Sequence, residues 1–444
     1  MTDETVPSAD QPEYNWDGYG FNTRQVHAGE YEDQTSGARI SPIAMTAGYL
    51  FDSFEDARGR FSGENEGLIY SRQRNPSGGV AERRITSLEG GVETIVVASG
   101  QAAITAALFS LASAGDHIVS TASIYSGTRI LFGRSFARMG VTVDYVWDEF
   151  DDDEWDRVIT PNTKAIFTET IPNPKNDIVD IDRVAAVARR HGLPFVVDNT
   201  VASPYLIRPI EHGADVVVHS STKFLTGHGA AISGAIVDGG NFDWTGSSRR
   251  YPLIQDAAGP GLRSIAERFG RTAYSRATRE AVVNDIGPAL SPFNSFLLHQ
   301  GIETLSLRME RHLDNSVAIA KWLTEHPGVE SVDYAGLPGN RAFELAQTLY
   351  GGRSGSVFSV TVKGGEAGAE AFLDRLRVIS RMTNIGDTRS MALHPATTTH
   401  ISFSQELRDR LGIAPGLIRL SIGIEDAADL IADLDRALSG LPTN

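Results

Sequence analysis

The chain of 444 residues contains no cysteine. Disulfides, thiolate-bound zinc, iron–sulfur clusters and thiol nucleophiles are therefore excluded, and a reducing cytoplasm suits such a composition. Positive charge is also scarce: 40 Lys and Arg face 56 Asp and Glu, for a net charge of −16. No nucleic-acid partner is expected, because that would need a basic face. No apolar run approaches the length of a membrane span, so no membrane partner is expected either. The first twenty residues are acidic and lack an apolar segment, and read as a loose tail, not a signal peptide. There is no G-x-x-x-x-G-K-[ST] and no strand-linked G-x-G-x-x-G, which argues against a nucleoside triphosphate or a dinucleotide. Finally, only Lys164, Lys175, Lys223, Lys321 and Lys363 are lysines.

What is present is an alternation. "ETIVVAS" (93–99), "HIVSTAS" (117–123), "VTVDYVW" (141–147), "AIFTET" (165–170), "PFVVDNT" (194–200) and "DVVVHSS" (215–221) read as strands, several of them nearly continuous in β-branched residues as doubly buried strands are. Helical stretches at 101–114, 127–139 and 180–191 separate them. The pattern predicts an α/β fold with a mostly parallel sheet flanked by helices. Residues 1–75 are turn-rich with little period and read as an N-terminal arm. Residues 76–290 form the expected α/β domain, ending in a Gly-, Arg- and Ser-rich excursion over 240–290. Residues 291–444 mix long helices with the runs "VESVDYAG", "SVFSVTVKG" and "LIRLSIG", and predict a smaller α+β domain.

Several residues invite chemistry. Lys223, in "HSSTKFLTGHG", follows a buried strand; either it escapes to solvent, or desolvation favours its neutral amine, the form that attacks a carbonyl. Asp198 ends a strand, and ligand groups collect beyond the carboxyl ends of strands in such sheets. It could cap a turn, or grip a ribose, a metal or a protonated ring nitrogen. The ribose reading lacks its glycine motif, and the metal reading lacks clustered ligands. A ring nitrogen and a Schiff-base lysine belong together in pyridoxal phosphate (PLP) enzymes. In "ASGQAA", Gly100 and Gln101 open a helix after a strand, a junction able to hold phosphate. Tyr70 and Arg72 lie in the arm, and Arg can clamp a phosphate. Tyr125 follows a strand and could stack on a flat ligand or belong to the core. Arg419 sits inside an apolar strand and needs a carboxylate partner, internal or brought by a substrate. His394 and His400, in "LHPATTTH", match no metal-ligand spacing and read as structural; no metal is expected. His228 has no assigned role.

Taken together, these segments resemble the Cys/Met-metabolism family of PLP enzymes. "VHAG", "YSRQRNP", "SGQAA", the "NP" at 173–174, "DNT", "STKFLTGHG", "HPATTTH" and "LIRLSIGIED" follow the family's order, and "DVVVHSSTKFLTGHG" matches its lysine-site pattern. The resemblance implies the aspartate-aminotransferase-like fold (fold type I) and PLP bound as a Schiff base by Lys223. It further implies Asp198 on the ring nitrogen, Asn173 near the phenolic oxygen and Tyr125 stacked on the ring as a catalytic group. Gly100, Gln101, Ser220 and Thr222 would hold the phosphate, joined by Tyr70 and Arg72 from a neighbouring subunit. Arg419 would take the substrate carboxylate, with Asn384 nearby. Within the family, Gln101, Asn384, the long excursion and the lack of the cysteine that methionine γ-lyase carries just after the stacking tyrosine, with Gly127 here, resemble the branch that transfers sulfide onto O-acetylhomoserine. The alternatives are an O-succinylhomoserine sulfhydrylase, a cystathionine γ-synthase or a γ-lyase of the same family, or a non-catalytic phosphate-binding module. The expected partners are those two small molecules, in a homotetramer built from dimers that share active sites.

Overall fold

The computed structural model describes residues 16, 18–30, 36–65, 67–257, 259 and 262–441. Most of the acidic stretch read as a tail lies outside them. Seven strands form the larger sheet: β1 (Glu93–Val97), β2 (His117–Thr121), β3 (Thr142–Val146), β4 (Thr163–Glu169), β5 (Phe195–Asp198), β6 (Val216–His219) and β7 (Gly234–Asp238). Their order is β1-β7-β6-β5-β4-β2-β3, with only β7 antiparallel to its neighbours. The six runs expected as strands are β1 to β6. β7 was not anticipated, because "GAIVD" is short and sits among glycines.

The alternation of side chains feeds two cores. Phe195 and Val197 of β5 pack with Val184, Val187 and Ala188 of the helix Ile181–His191. Val196, between them, packs on the other face with Ala103, Ile104 and Ala107 of the helix Gly100–Phe109. Covering both faces is what lets these strands be continuous in apolar residues. The five parallel strands β2 to β6 all run the same way, so Glu169, Asp198 and His219 end at one edge.

The segment 240–290 is no loose excursion. Trp244, Tyr251 and Tyr274 are buried in the second of these cores with Val282 and Val283, and Trp244 stacks on Tyr274 with ring centroids 5.7 Å apart. Its Gly and Arg content hid a packed aromatic cluster. The arm has more helix than its composition suggested, with Phe21–His27 and Phe54–Ser62. It leaves large apolar side chains in the open: Leu50 is 91% exposed and Phe54 83%.

A second sheet, in the order β10-β11-β12-β9-β8, is built from β8 (Val329–Asp333), β9 (Val357–Val362), β10 (Ser380–Arg381), β11 (Met391–Leu393) and β12 (Leu417–Ser421). Helices Leu305–Glu325, Gly365–Arg375 and Ala427–Leu438 cover it through Ile319, Leu323, Phe372, Leu430 and Leu434. This smaller sheet and its helices form the α+β unit. The helix Pro292–Ile302 joins it to the first unit, since Leu298 and Ile302 pack with Ile85 and Leu88. Among the described residues, no helix is long and apolar enough to cross a membrane.

Candidate active site

Lys223 lies in the turn that follows β6, its N–H donating to the Ser220 carbonyl at 3.1 Å. Its Nζ donates to Asn384 Oδ1 at 2.5 Å, across from the second unit. Burial, helped by the charge of Arg419, brings its ammonium down to about 8. Roughly a tenth is then neutral at pH 7, against a few parts in ten thousand for an ordinary lysine. Desolvation thus supplies the reactive form, and solvent escape is not what the turn does.

Asp198 is buried at the end of β5, where it accepts the Thr200 N–H at 2.9 Å. Burial pushes its carboxyl up, and the Thr200 bonds and His219 pull it back. Gly100 opens the helix Gly100–Phe109, whose cap Ser99 takes the Ala102 N–H at 3.1 Å. The first-turn N–H groups of Gly100 and Gln101 have no helical acceptor, as at any helix start. A β-carbon on Gly100 would lie 2.5 Å from Ser220 Cβ, so only glycine lets the Ser220 turn approach the helix start. Ser220 donates its N–H to Thr200 Oγ1 at 2.7 Å. Thr222 Oγ1 bonds Ser233 on both sides, donating to its carbonyl and accepting its N–H, and so ties the lysine turn to the chain before β7.

Tyr125 caps the helix Ser126–Ile130 without a side-chain cap bond. A side chain on Gly127 would come within 2.4 Å of the Tyr125 ring and 2.9 Å of the Gln101 amide. The ring and Gln101 therefore share the space above Gly127, which belongs to the placing of Tyr125. Burial raises the Tyr125 phenol, opposed by Arg419.

Arg419, on β12, is 3% exposed. Its Nη2 donates to the Thr383 and Asn384 carbonyls at 2.8 and 3.0 Å, and its Nη1 reaches Asn173 Oδ1 at 3.5 Å. Its buried Nε has no acceptor. Burial lowers it to about 10, which still leaves it charged at neutral pH, and no carboxylate contributes to that balance. Among the described residues the internal partner is absent, which leaves a ligand's carboxylate as the remaining one. Lys223, Asn384, Asn173, Arg419 and Tyr125 are thus one cluster, with Asp198, Ser220 and Gly100 beside it.

Tyr70 and Arg72 are placed differently. Tyr70 is 45% exposed and bridges to Gly48. Arg72 lies over the Tyr70 ring at 5.7 Å and bonds the Asn284 carbonyl. Among the described residues neither bonds the Lys223 cluster. His394 is saturated by Thr397 Oγ1 at 2.8 Å and the Pro415 carbonyl at 2.9 Å, a structural role. His228 bonds the Thr226 carbonyl at 2.8 Å.

Two acids that sequence reasoning passed over complete the edge. Glu89, fully buried, accepts from Asn199 Nδ2 at 2.9 Å and meets His219 Nε2 at 2.7 Å. Glu169 accepts the Tyr125 N–H at 2.7 Å. A signal existed for Glu169, an acid closing an apolar strand as Asp198 does. None existed for Glu89, whose partners lie more than a hundred positions away.

Comparison with known proteins agrees with this geometry. Residues 22–439 match the family described as Cys/Met metabolism PLP-dependent enzyme. O-acetyl-L-homoserine sulfhydrylase of Corynebacterium glutamicum is 43% identical over 96% of this chain and 98% of its own. Homocysteine synthase of Schizosaccharomyces pombe is 41% identical over 94% and 98%. A crystal structure from Campylobacter jejuni, described as an O-acetylhomoserine (thiol)-lyase with N′-pyridoxyl-lysine-5′-monophosphate, superposes with a TM-score of 0.90 at 34% identity over 95% of this chain and all of that one. Cystathionine gamma-lyase of Lactobacillus plantarum does so at 0.81 and 34%, over 95% and 99%. The donor set fits the cofactor: a softened lysine, a buried carboxylate, and a glycine cradle that a β-carbon would fill. The chain belongs to the Cys/Met metabolism family of PLP-dependent enzymes.

Proposed function

We propose that the protein replaces the acetoxy group of O-acetyl-L-homoserine with sulfide, giving L-homocysteine and acetate. The observation that carries this reading is Arg419, a buried cation that has no carboxylate partner among the described residues and is bonded through Asn384 to the lysine cluster. It suits an amino acid's α-carboxylate. The printed names of the relatives support the acetyl group and the sulfur chemistry.

PLP, when bound, drains negative charge from the substrate's Cα. Lys223 would hold its aldehyde carbon, Asp198 its ring nitrogen and Asn173 its phenolic oxygen. Gly100, Gln101, Ser220 and Thr222 would hold its phosphate, and Tyr125 would lie against its ring. Lys223, with its lowered ammonium, would be the base that takes the Cα proton. The leaving group is on Cγ, so a second proton must leave Cβ before acetate can depart. Sulfide then forms the Cγ–S bond in place of Cγ–O, and both protons return; no oxidant is needed. Asn384 keeps the Lys223 amine on the substrate side. Tyr125 is suited to the leaving-group side, and an unchanged kcat in Tyr125→Phe would remove it from that role.

The exposed apolar side chains of the arm support a dimer in which a second copy brings Tyr70 and Arg72 to the phosphate, with dimers paired into a tetramer. PLP affinity should then fall on dilution. A γ-lyase reading has the Lactobacillus plantarum structure behind it. Product analysis separates the two. Sulfide-dependent homocysteine from O-acetylhomoserine supports the transfer reading, whereas a 2-oxo acid from methionine alone would replace it.

A further inference from the structure

Glu169 and Asp198 are register partners on the parallel strands β4 and β5. Register partners point to the same face of a sheet. Two carboxyl groups thus stand side by side at the strand ends, where the cofactor's ring is proposed to sit. Only one of them has an assigned task.

We propose that Glu169 is a positioning residue for the cofactor ring, whose carboxyl group holds the Tyr125 backbone in place beside Asp198, the partner proposed for the ring nitrogen. The contact is direct: Glu169 Oε1 accepts the Tyr125 N–H at 2.7 Å. Tyr125 has no side-chain cap for the helix it opens, so this bond fixes where the helix Ser126–Ile130 starts and where its ring lies. Glu169 is 5% exposed. Among the described residues the charged group that acts on it is Asp198, of its own sign, and no cation contributes; Arg419 acts on the Tyr125 phenol. Burial and that like charge push its carboxyl well above the usual range. Two carboxylates side by side in a dry site cannot both ionise cheaply. Asp198 carries the charge, because the Thr200 bonds and His219 favour its ionised form. The neutral Glu169 still offers a carbonyl oxygen to the Tyr125 N–H.

This inference rests on the proposed placing of PLP between Lys223, Asp198 and Tyr125. Its test compares the wild-type holoenzyme with Glu169→Ala and Glu169→Gln. PLP affinity is read by equilibrium dialysis, and ring orientation by the circular dichroism induced in the cofactor's visible band. Glu169→Ala should lose about tenfold in PLP affinity, the cost of one unpaired buried N–H, and change the induced signal. Glu169→Gln, neutral and with the same acceptor, should recover most of the affinity and the wild-type signal. A glutamine variant as impaired as the alanine one would show that charge is required and overturn the proposal. So would an alanine variant indistinguishable from wild type. A failure of the placing itself would look different: the visible band would survive Lys223→Ala.

Discussion

Lys223 and Arg419 are both basic, both largely out of water and both bonded to Asn384, one to its side chain and the other to its carbonyl. The same low-dielectric surroundings give them opposite uses. Burial takes Lys223 to about 8, where a neutral amine is within reach at physiological pH. It takes Arg419 only to about 10, where the guanidinium keeps its charge. Desolvation cannot make a base of an arginine at pH 7, because its starting point is too high. In the proposed reaction one cation gives up its proton and the other holds a carboxylate, and the charge of Arg419 makes that of Lys223 dearer.

Exchanging the two residue types is the strongest way to break this comparison. Lys223→Arg keeps the charge and removes the amine, and turnover should fall by at least about 10³-fold with loss of the visible cofactor band. Asp198→Ala removes the proposed partner of the ring nitrogen, and kcat should fall about 10²–10³-fold as measured in saturating substrate. Arg419→Lys keeps the charge but not the fork, and steady-state kinetics should give a KM roughly 10–100-fold higher with a smaller change in kcat. A loss confined to kcat would place Arg419 elsewhere in the reaction. The smallest effect is expected at Gly127→Ala. Its methyl group would press on the Tyr125 ring at a cost of about 1–3 kcal/mol, visible as weaker PLP binding.

Much of this was legible in the chain, for physical reasons. β5 and β6 announce themselves because both faces are covered, so their residues are apolar without interruption. Arg419 stands out for the opposite reason, as a charge inside such a run. β7 escaped because its neighbours in space, β1 and β6, and not its own five residues, make it a strand. The aromatic cluster of Trp244, Tyr251 and Tyr274 was hidden by glycines and arginines between its members. Glu169 closes an apolar strand as Asp198 does, but its partner lies 44 positions away and its task could not be read; Glu89, whose partner lies 130 positions away, gave no signal. Nor could any pattern tell that Arg419 lacks an internal carboxylate, since that is a statement about what lies around it.

The most direct measurement is the pH dependence of PLP capture by the apoprotein, followed by visible absorbance. Only the neutral amine reacts, so the rate should climb as pH rises through about 8 and level off above it. In Arg419→Gln the neighbouring positive charge is gone, the ammonium is less disfavoured, and the midpoint should move to higher pH. A wild-type midpoint near 10.5, the ordinary value for lysine, or a midpoint unmoved by Arg419→Gln, would contradict the shared-burial account of the two cations.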